Sequence, residues 1–156
     1  MKALLLAALV AVGQQPAGLS FLLVDASGQT LDGATLFEGE PRVIVYVVPG
    51  NEPSTRLIDA LRLWSQRDPL RWQRRVHVIV AATPAAAREW LGDRWTQPAV
   101  WSADPSGDGW RALGLQGTLG VVGIGGGRVE WKIDGVIDDP SVVEPAIDAW
   151  IKAGER

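Results

Sequence analysis

Few residues of this 156-residue chain are placed to do chemistry. Glu52-Pro53-Ser54-Thr55 follows an apolar run and a Pro49-Gly50-Asn51 break, so its carboxylate and hydroxyls fall at the start of a predicted helix, where free backbone N–H groups point outward. Two readings of that tetrapeptide stand. Glu52 suits the positive end of the helix dipole and Ser54 or Thr55 can cap, which makes the segment structural. Alternatively, Glu52, Ser54 and Thr55 form a small polar pocket for a ligand, with the Glu52 charge arguing against an anion. His77, the only histidine, lies in an apolar strand, which favours a structural role. A Ser-His-Asp arrangement would have to use it, yet no nucleophile-elbow motif accompanies it. Asp104-Pro105-Ser106-Gly107-Asp108-Gly109 imitates the start of a calcium loop, but Leu115 stands where the bidentate Glu is required. Gly123 to Gly127 precedes a strand rather than a helix and makes a poor phosphate cradle. No metal and no cofactor is expected.

The chain contains no cysteine. Disulfide exchange needs a thiolate nucleophile, so thiol–disulfide oxidoreductase and thiol peroxidase activities are excluded for this chain alone. Tryptophan, by contrast, occurs eight times. Trp64, Trp90, Trp131 and Trp150 fall on buried stripes, whereas Trp72, Trp95, Trp101 and Trp110 lie in or beside predicted loops. These four either close satellite clusters under the loops or form an aromatic platform for a glycan, a peptide or a partner protein.

A content of 47% hydrophobic and 21% charged residues suits one soluble domain with a substantial core. The net charge of -3 gives no reason to expect nucleic acid or an anionic membrane surface as partner. Arg56, Arg62, Arg67, Arg71, Arg74, Arg75, Arg88 and Arg94 crowd the central third, a pattern that reads as a solvated face.

At the N-terminus, Lys2 precedes an apolar run from Ala3 to Val12 and the small residues Ala11 and Gly13, the pattern of an export signal. Residues 1–18 are therefore expected to be a signal peptide and 19–156 a single domain; the alternative is a buried N-terminal helix. The run is shorter than the roughly twenty residues a membrane-spanning helix needs, so no span is expected after signal removal. No cysteine follows it for bacterial lipoprotein attachment.

Ser20 to Asp25 reads as a strand and Asp25-Ala26-Ser27-Gly28 as a turn. Val43 to Val48 is a β-branched run without alternation, the mark of a strand covered on both faces. A helix from Glu52 or Pro53 carries Leu57, Ile58, Leu61 and Trp64 on one stripe and ends before Pro69. Val76 to Ala82 is a second apolar strand, parallel to the first, and Pro84 to Leu91 a short helix. Pro98 to Trp101 is extended, and Asp104 to Leu115 is a loop with one helical turn. Gly120 to Ile124 and Arg128 to Asp134 form a hairpin through Gly125, Gly126 and Gly127. A last helix is expected with Asp139 as N-cap, Pro140 first, and Val142, Val143, Ala146, Ile147, Trp150 and Ile151 buried.

That order of elements, with Phe21-Leu22-Leu23-Val24-Asp25-Ala26-Ser27-Gly28, Trp101-Ser102-Ala103-Asp104-Pro105-Ser106-Gly107 and Leu113-Gly114-Leu115-Gln116-Gly117-Thr118, resembles the thioredoxin superfamily. The resemblance is to its exported TlpA-like branch, with the peroxiredoxin-like redoxins second. It implies an α/β thioredoxin-like fold: a central mixed sheet flanked by helices, with an N-terminal strand pair. It also implies export to the periplasm or beyond. In that family a Cys-x-x-Cys opens the helix after the central strand and a cis-proline follows nearby. Matching places Glu52 and Thr55 at the cysteines, with Pro53 and Ser54 between, and Leu119 after Thr118 at the proline, where a trans bond is expected. The chain thus reads as a redox-inactive exported domain acting as a binding or protein-interaction module, its partner an exported protein or peptide. A non-redox enzyme using a carboxylate near the old helix start, or a structural accessory domain, are the alternatives.

Overall fold

A computed structural model describes residues 21–92, 100–135 and 137–155; the expected signal segment, Arg94, Trp95 and Pro98 lie outside them. The strands are β1 (Leu22–Asp25), β2 (Thr30–Asp32), β3 (Arg42–Val47), β4 (Val76–Val80), β5 (Val100–Ala103), β6 (Gly120–Gly125) and β7 (Arg128–Asp134). The helices are α1 (Glu52–Ser65), α2 (Pro69–Arg75), α3 (Pro84–Leu91), α4 (Asp108–Ala112) and α5 (Glu144–Ala153). Seven strands form one mixed sheet in the order β2-β1-β5-β4-β3-β6-β7. β3, β4 and β5 are mutually parallel, as β-branched runs buried on both faces should be, while β1 with β2 and β6 with β7 are antiparallel hairpins at the edges.

Alternation along the strands separates two apolar layers. Val43, Val45 and Val47 of β3, with Val76, Val78 and Val80 of β4, face Leu57, Ile58, Leu61 and Trp64 of α1 and Ile147 and Ile151 of α5. Ile44, Tyr46 and Ile79 face the other way, toward Phe21, Leu36, Phe37, Leu113 and Leu115. The hairpin turns on Gly126 and Gly127, whose positive φ values of 58° and 76° are those a two-residue turn requires. On the neighbouring strand, a Cβ at Gly123 would lie 2.1 Å from Nε1 of Trp131, so the indole occupies the space a side chain would take. Trp131 meets Trp150 edge to face at 6.0 Å, and the Trp150 indole N–H is shared between the carbonyls of Arg42 and Ile124.

Three expectations change. Pro69 is not only a stop: Asp68 accepts from the Arg71 amide and Pro69 opens α2, so Trp72 is helical and 7% exposed rather than in a loop. The last helix starts later than Pro140. Asp139 does cap, but it caps a 3-10 turn over Pro140–Val142, and Glu144-Pro145 opens α5, leaving Val142 58% exposed. The arginine run is not uniformly solvated either. Arg75 is 5% exposed and donates to the carbonyls of Pro41 at 2.9 Å and Gly154 at 3.2 Å, tying the end of α5 to the start of β3.

Candidate functional site

Strand β3 runs into Pro49 and Gly50, and the chain turns there on the positive φ of Gly50, 80°. Asn51 follows in extended conformation as the N-cap of α1, its Oδ1 accepting from the Ser54 amide at 3.3 Å. Its Nδ2 donates to Oγ1 of Thr118 at 3.1 Å, joining the helix start to the loop before β6. Ser54 is wholly buried, and its Oγ accepts from the Val48 amide at 3.0 Å. Glu52 points away from this junction: its side chain is 74% exposed and paired with Arg56 one turn on. The Thr55 hydroxyl is taken by the Asn51 carbonyl at 3.3 Å. Neither Ser54 nor Thr55 caps the helix. The residue that does is Asn51, an N-cap residue type three positions before Ser54 and readable as such in the sequence.

On the facing loop, Leu119 is fully buried in the α1/α5 layer and its peptide bond to Thr118 is trans. Leu119 is thus an aliphatic anchor pointing inward. The loop is fixed from behind: the amides of Gln116 and Gly117 donate to the Asp134 carboxylate at 2.6 and 2.9 Å, and the Trp110 indole donates to the Gly117 carbonyl at 2.8 Å. Thr118 itself is exposed. The junction therefore offers an outward polar surface of Gly50, Glu52 and Thr118 with no activated nucleophile. General-base chemistry at Glu52 has no support either, because the carboxylate is hydrated and neutralised by Arg56.

The tryptophans do not make one platform among the described residues. Trp72 is buried in the α1/α5 layer and half-buried Trp101 packs against the same layer, whereas Trp110 packs on the opposite face of the sheet. Trp95 lies outside the described residues.

Two buried polar pairs lie on the face away from α1. Tyr46, 1% exposed, donates its phenol to Oδ2 of Asp104 at 2.7 Å, and the Trp110 amide reaches the same oxygen at 3.3 Å. Burial, then the hydrogen bond and the Asp104 charge, push the Tyr46 pKa up. Asp104 is 2% exposed, and its Oδ1 has no partner among the described residues. Tyr46→Phe is expected to cost about 2 kcal/mol, because it strips the stronger donor from a buried carboxylate. Urea unfolding checks this, and a loss below about 0.5 kcal/mol contradicts it. In the second pair, Nε2 of His77 lies 2.7 Å from Oγ of Ser102, and burial, followed by the charge of Arg42, lowers the His77 pKa to about 4. Among the described residues no three His, Cys, Asp or Glu side chains gather into a metal-holding group.

No protein-family model matches the chain, and no curated protein matches its sequence. Solved structures do match. A putative thiol:disulfide interchange protein DsbE from Chlorobium tepidum superposes with a TM-score of 0.66 at 17% identity, over 92% of this chain and 99% of that one. A secreted Mycobacterium tuberculosis disulfide oxidoreductase homologous to Escherichia coli DsbE gives 0.64 at 17%, over 84% and 96%. The fold is thioredoxin-like. A secreted thiol-disulfide isomerase from Corynebacterium glutamicum gives 0.64 at 12% identity, over 92% of each chain. At such identities the likeness carries the thioredoxin-like scaffold alone, and this scaffold holds no thiol. No helix among the described residues is long and apolar enough to cross a membrane.

Proposed function

We propose that this chain is an exported thioredoxin-like interaction module, in which the former redox end of the sheet has become a hydrogen-bonded recognition surface. The observation that carries the reading is the Asn51–Thr118 bridge, which closes the helix start onto the facing loop where a reactive thiol would need to stay open. On this reading the former thiol positions are Asn51 and Ser54, whereas sequence matching gives Glu52 and Thr55. Asn51 is the N-cap facing the loop and Ser54 the buried side chain three residues on, whereas Glu52 and Thr55 flank the junction. The partner is an exported protein or peptide segment that docks across Gly50, Glu52 and Thr118. Export itself, with residues 1–18 as signal and 19–156 as the mature domain, is supported by the Lys2 and Ala3–Val12 pattern and by the secreted neighbours.

Site-specific photo-crosslinking in living cells tests the reading. A crosslinker at Glu52 is expected to capture a recurrent protein adduct that the same group at Lys152, near the other end of the sheet, does not. Equal capture from both positions, or none from a folded and exported protein, favours a structural accessory domain instead.

A further inference from the structure

At the opposite end of the sheet, about 17 Å along β3 from the former redox site, the first residues of β3, β4 and β5 open onto a cavity of about 230 Å³. Its walls divide by chemistry. Leu31, Leu36, Val76 and Val100 supply an apolar side, while Arg42 and the end of α2 supply a cationic one, with His77 between them. Arg74 and Arg75 belong to that end, and both are engaged: each lies near Glu40, at 3.3 and 3.5 Å, and Arg75 also holds two backbone carbonyls. Arg42 is different. Its guanidinium is half-buried, donates no hydrogen bond among the described residues, and has its Nε fully out of solvent without an acceptor. Desolvation and the neighbouring Arg75 charge press its pKa down, with Glu40 opposing. A cation kept in this state costs stability unless an anion meets it. The groove among α1, α2 and α5 offers no such opening, since its Arg67 and Arg71 are already paired with Glu144 and Glu155.

We infer that this cavity binds a small monocarboxylate with a short apolar tail, its carboxylate on the Arg42 guanidinium and its tail against Leu36 and Val100. The Nη1 and Nη2 groups of Arg42, which unlike Nε are not closed off from solvent, suit two parallel bonds to a carboxylate. The volume falls below the roughly 300–1,000 Å³ typical of drug-sized ligands, so only a small molecule fits. The apolar walls give the tail a role that inorganic phosphate cannot fill. His77 borders the same space and stays neutral, leaving Arg42 as the cation that receives the ligand.

Sodium hexanoate, acetate and inorganic phosphate, titrated separately into the mature domain and followed by the Arg42 side-chain N–H and His77 ring signals in NMR, test the site. Hexanoate is expected to shift both signals saturably, at least tenfold more tightly than acetate, because each buried methylene adds affinity. Arg42→Met is expected to weaken hexanoate at least tenfold while leaving the melting temperature of the empty protein equal or higher, since an unpaired cation has gone. Should that variant misfold, Arg42→Lys keeps the charge, loses the fork and is expected to weaken hexanoate severalfold. Non-saturating shifts, hexanoate binding unchanged in the Arg42 variants, or phosphate binding as tightly as hexanoate would each overturn the inference.

Discussion

The double variant Asn51→Cys/Ser54→Cys is expected to close an intramolecular disulfide and to gain thiol–disulfide exchange activity from none, whereas Glu52→Cys/Thr55→Cys is not. Both pairs are three residues apart, so spacing alone does not separate them. Conformation does. Asn51 is an N-cap with φ -97° and ψ 122°, outside the helix proper, so its side chain can fold back over the first turn toward residue 54, as its bond to the Ser54 amide already shows. Glu52 and Thr55 both belong to α1, where side chains three positions apart are fanned by about 60° and stand about 4.5 Å apart along the axis, a poor match for a relaxed disulfide. The helix start that stabilises nothing but a cap today would lower the pKa of a thiol at position 51. Glutathione buffers poised near about -180 mV, with mass spectrometry after alkylation, read the outcome. If the 51/54 pair stays reduced there, or the 52/55 pair closes as readily, the assignment of Asn51 and Ser54 to the old thiol positions is lost. Exchange with protein disulfides is expected to remain slow even in the active variant, because Leu119 is buried and the loop facing residue 51 presents no side chain at that position to a docking peptide.

Sequence matching at Glu52 and Thr55 and the proposed assignment to Asn51 and Ser54 differ by one residue, because a sequence pattern shows that a helix opens here more sharply than it shows which residue caps it. The β-branched run of β3 and the stripe Leu57, Ile58, Leu61 and Trp64 are visible without coordinates because burial on both faces, or on one stripe, imposes a composition. Helix α3 was legible to its ends, since Thr83 caps it and Pro84 opens it. At Glu52-Pro53-Ser54-Thr55 the carboxylate reads as the first residue of the helix and Asn51 as part of the turn, although an Asn followed three residues later by Ser carries the same cap signal. Helix α2 has only seven residues, too few to display a period, and its Asp68-Pro69 start reads equally as the stop of α1. The Arg42 cavity was illegible for another reason. It exists because β3, α2 and the first loop meet in space, and Arg42 is left without an acceptor there because Arg74 and Arg75 are the arginines that Glu40, Pro41 and Gly154 engage. Arg42 lies outside the arginine run from Arg56 to Arg94 in the sequence; only the packing shows that its Nε, like that of Arg62, lacks an acceptor.

His77 is expected to give this protein a stability that falls as the solution is acidified from about pH 6.5 to about pH 4, by about 3 kcal/mol in all. In the unfolded chain its ring has the ordinary pKa of 6.5, and in the folded one about 4, so between those values the unfolded chain holds the extra proton. Acid therefore favours unfolding in that window, with no such slope above it. The exposed carboxyls of Asp25, Asp108 and Asp139 act lower. Hydrogen bonds from Ser27, Arg111 and Ser141 hold them below 3.8, so what they contribute is present above 3.8 and fades only as pH falls beneath it. Burial sets most of the histidine window and the charge of Arg42 on β3 adds to it, while Ser102 on β5 is the ring's hydrogen-bond partner. Urea midpoints at pH 7.5, 5.5 and 4.2 measure the slope, and His77→Gln, which keeps a polar partner for Ser102, is expected to flatten it. A wild-type slope no steeper than that of the variant, or a His77 ring signal that titrates near 6.5, would falsify the expectation. The same slope reports on the cavity. A carboxylate seated on Arg42 cancels the charge that helps depress His77 and favours the imidazolium beside it, so saturating hexanoate should shrink the acid loss in the native chain and leave it unchanged in Arg42→Met.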